Sequence, residues 1–334
     1  MKRSTMVILL VLAVILIAAG LIIETIPGAS GGAYETLYSE SESSVTAIRA
    51  DLRDMDLRIY VNHNGDTLEV DGSGRAVTLV DVSEEGGTLR LTEREPSGSS
   101  KVFGSRQGED YAVVWLPWDF AGTLTLSLEN GELGFNGLNL PGACASIAAE
   151  NGDVSIYDCR LGALEIKSGG GGVWLGDVDV SGADVSITAG SGRVSVSSAE
   201  METLTMYLGS GGAWTDSLRT GSVKILGGSG DVSFGSGDVG ELTAETGSGG
   251  VYIDRLRTEK MALTSGSGDI RFSSGESGAV SVRTGSGDVY FDRFKTDRAD
   301  IFTVSGDIRG TLSGLNSDPV VETSTVSGDV SLER

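Results

Sequence analysis

One short phrase recurs along most of the chain and limits its possible folds more than any other feature. Between residues 246 and 296 the chain reads S-G-G-V, S-G-D-I and S-G-D-V, and each copy runs into alternating apolar and polar residues. Glycine permits a tight corner, and the alternation indicates a strand. With the second glycine of the repeated phrase, or its equivalent, taken as position zero, the corners fall at Gly131, Gly152, Gly171, Gly192, Gly211, Gly230, Gly249, Gly268, Gly287, Gly306 and Gly328.

The spacing of these corners predicts a solenoid. The usual interval is 19 residues, as between Gly230 and Gly249. Apolar residues occupy offsets −7, −5, +2 and +4, as Val232 and Phe234 do after Gly230. Such columns are typical of a fold in which each coil buries its apolar face against its neighbours. We therefore expect an all-β, right-handed parallel β-solenoid with 19-residue rungs.

A second, longer period overlies the first. At offset +3 large aromatic residues alternate with small or basic ones: Trp174, Ser195, Trp214, Ser233, Tyr252, Arg271, Tyr290, Arg309. A coil of 38 residues would place all the aromatics on one side, and a coil of 19 would place one on every second rung. The strict alternation favours the longer coil and leaves the shorter one open.

The segment before the repeat has a different sequence pattern. Short alternating strands and glycine turns fill residues 43–118, including the strand Tyr111–Pro117. We expect these strands to form the first, irregular turns of the solenoid and to cap it, ahead of the repeat at 119–334. Residues 24–42 are polar and read as a stalk.

An apolar run of 18 residues, 6–23, follows Lys2 and Arg3. That length just suffices for a transmembrane helix, and the basic flank predicts that the N-terminus stays in the cytoplasm. A cleaved signal peptide usually has a shorter apolar region, so a retained anchor is favoured over a signal segment for residues 1–23. Both readings place the body outside the cytoplasm, attached to the membrane through residues 6–23 if the segment is retained.

Charge and cysteine content narrow the functional classes. The chain carries 47 acidic and 25 basic residues, a net charge of −22. Such acidity disfavours nucleic acid as a partner, because phosphate binding needs clustered lysine and arginine. Cys144 and Cys159 lie on either side of one corner; free thiols are favoured over a disulfide, with Cys159 in the core and Cys144 at an edge.

The aspartate after each corner invites a metal-site hypothesis. Calcium-binding β-rolls combine glycine and aspartate, but with a nine-residue period. Here the position accepts Gly172 and Arg193 as well as Asp231. A position that varies in this way is not an obligatory ligand, and aspartate also stabilises turns. We therefore predict a structural role, and neither a metal site nor a cofactor.

Two outward-facing sets remain as candidate sites. The aromatic stripe, defined as Trp174, Trp214, Tyr252 and Tyr290, could stack on sugars or dock a partner, or it could simply cover neighbouring rungs. The charged edge, which contains Asp216, Asp254, Asp292, Arg219, Arg255, Arg257, Arg293 and Lys295, reads mainly as a solvated ion-pair ladder. No catalytic residue is predicted, since the one histidine, His63, has no nucleophile–acid set around it.

A resemblance to a known family is carried by the export segment, by the V-x-W-L-P strand at residues 113–117 and by the S-G-D-V or S-G-D-I rungs at 229–232, 267–270, 286–289, 305–308 and 327–330. In these features the chain resembles the putative-adhesin β-strand-repeat family of prokaryotic envelope proteins. The resemblance covers roughly residues 45–334. It implies a β-solenoid in the cell envelope and carries no catalytic residues with it. Several middle rungs depart from it by replacing the aspartate.

These features favour a non-enzymatic surface protein for adhesion, scaffolding or stress sensing, with a glycan or an envelope protein as partner. Two alternatives stay open at this point. A carbohydrate-active β-helix enzyme would need acids and bases that converge in a groove. A self-assembling structural protein would need exposed end rungs.

Overall fold

The structure is a computed structural model that describes residues 34–62, 65–95 and 110–333. These residues form one 22-stranded sheet wound into a solenoid, together with one short helix, α1. The elements in chain order are β1 (Tyr34–Ser41), β2 (Ala47–Leu52), β3 (Asp56–Asn62), β4 (Thr67–Ser73), α1 (Ala76–Leu79), β5 (Val80–Glu85), β6 (Thr88–Glu93), β7 (Tyr111–Pro117), β8 (Thr123–Leu128), β9 (Leu133–Asn136), β10 (Asn139–Ala149), β11 (Val154–Ser168), β12 (Val173–Ala189), β13 (Val194–Leu208), β14 (Ala213–Gly227), β15 (Val232–Thr246), β16 (Val251–Ser265), β17 (Ile270–Phe272), β18 (Gly275–Thr284), β19 (Val289–Thr303), β20 (Ile308–Ser313), β21 (Val320–Thr325) and β22 (Val330–Glu333).

One coil takes 19 residues. β15 and β16 run parallel, with Val232 beside Val251, and β17 continues the ladder with Ile270 beside Val251. The predicted parallel β-solenoid with 19-residue rungs is confirmed. The preference for a 38-residue coil was wrong: the aromatic alternation marks every second rung on one face and does not define a longer turn.

Each coil bends where the alternation of the side chains changes phase. Offsets +2 and +4 point inward as predicted, but so do +7 and +9, so the parity shifts by one between them. Residues at offset +6 make this bend in a left-handed conformation, with φ of 51° at Asp158, 50° at Ser198 and 55° at Arg293. Aspartate adopts this region more readily than most residues other than glycine, which fits its use here.

The corner glycines are required by close stacking of the backbone. A Cβ added to Gly192 would lie 1.8 Å from the carbonyl oxygen of Gly171, the corner of the preceding rung, and one on Gly230 would lie 2.2 Å from Gly211 O. The glycine two residues earlier stacks in the same way, since a Cβ on Gly209 would lie 2.4 Å from Gly190 O. The corners therefore pack backbone on backbone, and no side chain fits between them.

Buried hydroxyl groups close the same corners from the inside. Thr303 Oγ1 accepts the Gly306 amide at 3.0 Å, and Thr284 Oγ1 accepts the Gly287 amide at 3.2 Å. Since a buried amide without a partner is costly, these hydroxyls let the chain turn inside the core.

The interior is one continuous apolar core along the solenoid. Stacked phenylalanines fill part of it: the rings of Phe272 and Phe291 lie 4.4 Å apart and nearly parallel, and Phe294 packs against both. Identical positions on successive rungs are in register, so like residues pack on like. This explains why the apolar columns are so regular in the sequence.

The N-terminal strands belong to the same sheet, in an order that differs from the sequence. β2 pairs in parallel with β6 on one side and β8 on the other, and β3 lies likewise between β7 and β9. Beyond β6 and β7 the pairing becomes antiparallel, through β5 with β6, β4 with β7 and β1 with β4. The parallel ladder thus ends under a layer of antiparallel strands.

One buried carboxylate joins these outer strands. Asp71 of β4 accepts hydrogen bonds from Tyr34 Oη at 2.6 Å, Thr36 Oγ1 at 2.9 Å and Trp115 Nε1 at 2.8 Å. Burial and the adjacent Asp71 carboxylate raise the pKa of the Tyr34 phenol above its ordinary value. β1, β4 and β7 are therefore held by charge-assisted bonds as well as by backbone pairing.

Some predictions fall on residues that are not described. The anchor or signal segment 1–23 and His63 lie outside the described residues, and the predicted stalk, 24–42, is described only from Tyr34. There the chain forms β1, so this part is a paired strand. Within the described ranges no helix is long and apolar enough to cross a membrane.

Candidate functional site

The aromatic stripe forms one straight column on the outside of the solenoid. Strand register places Trp174 beside Ser195, Ser195 beside Trp214, Trp214 beside Ser233, Ser233 beside Tyr252, Tyr252 beside Arg271, and Arg271 beside Tyr290. Neighbouring strands lie about 4.8 Å apart, so consecutive aromatics of the column are separated by roughly 10 Å. The structure therefore brings all four predicted residues together on one face.

The four rings are presented differently. Trp214 and Tyr290 are 39% and 46% exposed, whereas Trp174 and Tyr252 are half-buried. A Cβ on Gly172 would lie 2.3 Å from Cη2 of Trp174, and one on Gly250 would lie 2.7 Å from Oη of Tyr252. These two rings thus fold back over the corner of their own rung.

This arrangement explains why glycine replaces aspartate at Gly172 and Gly250. The residue at offset +1 is glycine on the rungs of Trp174, Trp214 and Tyr252, and aspartate on the rung of Tyr290. Bare backbone at Gly172 and Gly250 gives the ring a flat surface on which to lie. Tyr290, next to Asp288, has no such surface and remains the most exposed ring of the stripe.

Arginine extends the stripe. The guanidinium of Arg271 lies 5.9 Å from the centroid of the Tyr252 ring, within cation–π range. It also donates to Asp269 Oδ2 at 2.7 Å. The face therefore combines flat apolar rings with hydrogen-bond donors, a mixture suited to a ligand that is itself partly apolar and partly polar.

The corner aspartates have a structural role. Asp231 Oδ1 accepts the Gly250 amide at 2.8 Å, and Asp269 Oδ1 accepts the Asp288 amide at 2.9 Å. The same bond links Asp288 to Asp307 and Asp307 to Asp329. The acceptor acts on the next rung and not on its own turn, which the sequence alone could not reveal.

No metal centre is visible in the part of the chain that the structure describes. Within residues 34–62, 65–95 and 110–333 there is no group of three or more histidine, cysteine, aspartate or glutamate side chains that could hold an ion. The carboxylates of Asp231, Asp269, Asp288 and Asp307 each accept a backbone amide, so one oxygen of each is already used.

The charged edge forms a ladder only in part. Arg257 bridges two rungs, since Nη1 lies 3.4 Å from Asp238 Oδ1 and Nε contacts Glu276. Arg255 and Arg293 instead pair with Asp254 and Asp292, the residues directly before them. Asp216 accepts the amide and hydroxyl of Ser236, both at 2.8 Å, and no arginine within the described ranges pairs with it.

A shallow depression interrupts this edge, and the sequence analysis missed it. Its volume is about 490 Å³, and its lining includes Gly237, Gly275, Arg255, Arg293 and Lys295. A signal was present: at offset +7 Gly237 and Gly275 alternate with Leu218, Leu256 and Phe294. At these two glycines the backbone lies directly against the preceding rung, since an added Cβ would be 2.3 Å from Leu218 O and 2.6 Å from Leu256 O. The outward cations at neighbouring positions surround the depression.

The cysteines are free thiols. Cys159 is buried and Cys144 is exposed, as predicted. Burial raises the pKa of the Cys159 thiol to about 12, and its sulfur donates to the Tyr157 carbonyl at 3.0 Å. Since the thiolate is the reactive form, Cys159 is a core residue and not a nucleophile.

Comparison with solved structures gives several distant matches. A putative adhesin from Parabacteroides distasonis is 12% identical, with a TM-score of 0.39, over 91% of this chain and 98% of that chain. A putative lipid-binding protein from the same species is 16% identical, with a TM-score of 0.35 and the same coverage. A putative adhesin from Parabacteroides merdae is 13% identical, with a TM-score of 0.31, again over 91% and 98%. No curated protein matches the chain.

The family comparison covers most of the chain. Residues 45–234 and 215–334 each match the family described as Toastrack DUF4097. The two matches overlap and together span β2 to β22. The resemblance carried by the S-G-D-V rungs is thus confirmed, and the chain belongs to the Toastrack DUF4097 family.

Proposed function

We propose that the protein is a non-enzymatic binding protein of the cell envelope whose aromatic stripe docks an extended partner, a glycan in the first instance. The observation that carries this proposal is the pair of exposed rings in one column, Trp214 and Tyr290. Four aromatic side chains aligned in one column gather apolar surface on one face, and exposed apolar surface gathered in this way is typical of a binding site.

The geometry of the stripe suits an extended chain. Trp214 and Tyr290 are four rungs apart in register, roughly 19 Å at the usual strand spacing. Tyr252 and Arg271 lie between them and supply a flat ring and a guanidinium. Sugar rings present apolar faces and hydroxyl edges, so such a ligand could stack on the rings and accept from arginine.

The enzyme alternative finds less support. Glycoside hydrolysis needs two carboxyl groups that face each other across the scissile bond. Two carboxylates near the stripe are already engaged in other contacts. Asp269 accepts the Asp288 amide and pairs with Arg271, and Asp231 accepts the Gly250 amide. A binding role uses the stripe as it stands and requires no further groups.

The cellular setting is part of the proposal. We place the solenoid outside the cytoplasm, attached through residues 6–23, because the apolar run and its basic flank predict that topology. Protease treatment of intact cells tests it: the body should be digested without permeabilisation. Protection of the body until the cells are opened would contradict this placement.

Binding is tested by applying the purified full-length chain to a glycan array. A defined subset of glycans should retain the wild-type protein, and Trp214→Ala/Tyr290→Ala should lose that signal. Tyr207→Ala serves as the matched control, since Tyr207 is 45% exposed and lies outside the stripe. No retained glycan, or equal retention of the wild-type and double-variant proteins, would overturn the glycan proposal.

A further inference from the structure

The depression on the charged edge lies where two rungs lack a side chain. Offset +7 is an inward column, and Gly275 stands there between Leu256 and Phe294. Gly237 occupies the same place two rungs earlier, beside Leu256. Their φ angles of 148° at Gly237 and 135° at Gly275 show that the backbone takes a path closed to most other residues. An added Cβ would lie 2.3 Å from Leu218 O and 2.6 Å from Leu256 O, so the backbone at both glycines lies against the preceding rung. The depression of about 490 Å³ lies beside these two glycines.

Cations surround this space in two pairs. Arg255 and Arg257 come from one rung, and Arg293 and Lys295 come from the rung beyond Gly275. The two acids in the lining are Asp238 and Glu276. The lining therefore has two more cations than acids, on a chain whose net charge is −22. Arg255 and Arg293 each also pair with an acid outside the lining, Asp254 and Asp292.

These cations are available to a ligand. Arg255, Arg257 and Arg293 have side chains that are 68%, 68% and 79% exposed, and ion pairs at such exposure contribute little. Glu276, the neighbour of Lys295 in register, is already engaged by Arg257. Among the described residues Lys295 has no ion-pair partner.

We propose that this depression binds the carboxylate or sulfate group of an acidic glycan, whose chain continues onto the aromatic stripe. The inference rests on the proposed function, because the stripe supplies the sugar contacts. Tyr252 and Tyr290 precede Arg255 and Arg293 by three residues on the same rungs, so stripe and depression meet at the bend of the coil. Arginine favours the planar, bidentate geometry of a carboxylate.

The surrounding charge argues for spaced anions. A nucleic acid or an anionic membrane presents closely spaced negative charges, and the acidic surface around the depression would repel them. A glycan with one acidic group per disaccharide can place a single anion in the depression. Its intervening neutral groups can then lie on the rest of the face.

The test compares acidic glycans with their neutral counterparts on the full-length protein. Hyaluronate and unsulfated chondroitin oligosaccharides, which carry one carboxylate per disaccharide, serve as probes, each beside its carboxyl-reduced form. The variant is Arg255→Ser/Arg293→Ser/Lys295→Ser. Serine is already found in the same columns, as Ser236, Ser274 and Ser313, so the fold should tolerate it.

The control variant removes the same charge elsewhere. Lys224→Ser/Arg283→Ser/Arg298→Ser alters three exposed cations on the strand segment before the corner. A second variant, Ser274→Trp, fills the depression and leaves every charge in place. This variant distinguishes binding in the depression from electrostatic attraction by the charges of the protein as a whole.

We expect the wild type to bind at least one acidic probe about tenfold or more tightly than its reduced form, since charge-assisted hydrogen bonds are lost on reduction. The depression triple variant and Ser274→Trp should lose that preference, and the control should keep it. Equal binding of acidic and reduced forms, an unaffected triple variant, or binding of anionic vesicles in place of glycans would overturn the inference. If the carboxyl-reduced glycans still bind and this binding is lost when Trp214 is replaced, the stripe proposal stays intact. Absence of all glycan binding would remove both.

Discussion

The indole of Trp174 lies over the backbone of Gly172, where an added Cβ would be 2.3 Å from Cη2 of the ring. Ring and glycine belong to the same rung, two residues apart. The ring covers the corner, and the absent side chain makes room for it. One contact thus accounts both for the half-burial of Trp174 and for the loss of aspartate from this corner.

Gly172→Ala should push this ring outward. The Cβ would take the place of the indole, but the ring can rotate, so we expect only about 1 kcal/mol loss in the free energy of unfolding. Tryptophan emission should shift to longer wavelength, and acrylamide quenching should increase. Gly134→Ala is the control, because a Cβ there meets nothing within 4 Å. Unchanged quenching in Gly172→Ala would contradict the contact.

Gly192→Ala should be far more damaging. Its Cβ would lie 1.8 Å from Gly171 O and 2.5 Å from Gly171 C, and backbone cannot step aside as a ring can. We expect a loss of about 3 kcal/mol or more, or failure to fold, measured by chemical denaturation. The stability of Gly134→Ala should stay near that of the wild type. If the two alanine variants proved equally stable, the backbone stacking at the corners would be wrong.

Asp231→Ala should remove the acceptor for the Gly250 amide, now at 2.8 Å. We expect a loss of about 1 kcal/mol in the free energy of unfolding, with a smaller loss for Asp231→Asn because the amide oxygen can still accept. Thermal midpoints of the wild type should not change between calcium and a chelator. A calcium-dependent rise that Asp231→Asn abolishes would show that the column binds cations after all.

The two thiols should react very differently. Cys144 is exposed, whereas burial raises the pKa of Cys159 to about 12, so almost no thiolate forms there near pH 8. A chromogenic disulfide reagent should label one thiol in the native protein and both after denaturation. Cys144→Ser should abolish the native reaction. Rapid labelling of native Cys144→Ser would contradict the burial of Cys159.

Much of this fold could be predicted from the sequence because the solenoid stacks like on like. The corner glycines and the columns of Val232 and Phe234 repeat with the coil, so the period and the inward offsets could be read directly. The alternation of Trp214 with Ser233 was misleading about coil length. A 19-residue coil with an aromatic residue on every second rung and a 38-residue coil give the same alternation, so the residue types alone could not separate them.

Other features depend on backbone conformation and strand order, which cannot be predicted from the residue types. The bend at Ser198 and Arg293 uses a left-handed φ in residues other than glycine, so the phase shift that turns Phe294 inward was hidden. β6 and β7 pair with β2 and β3 on the side away from the repeat, and this strand order is not visible in the residue pattern of the strands. The aromatic stripe was predicted residue by residue, but the depression at Gly275 appeared only once the rungs were in register.

Direct titration tests the central claim, that the stripe is the binding surface. The glycan best retained on the array is titrated calorimetrically into wild-type protein, Trp214→Ala/Tyr290→Ala and Tyr207→Ala. The double variant should bind about tenfold or more weakly, which corresponds to about 1.4 kcal/mol, and Tyr207→Ala should match the wild type. Wild-type affinity in the double variant, or an equal loss in Tyr207→Ala, would contradict the account.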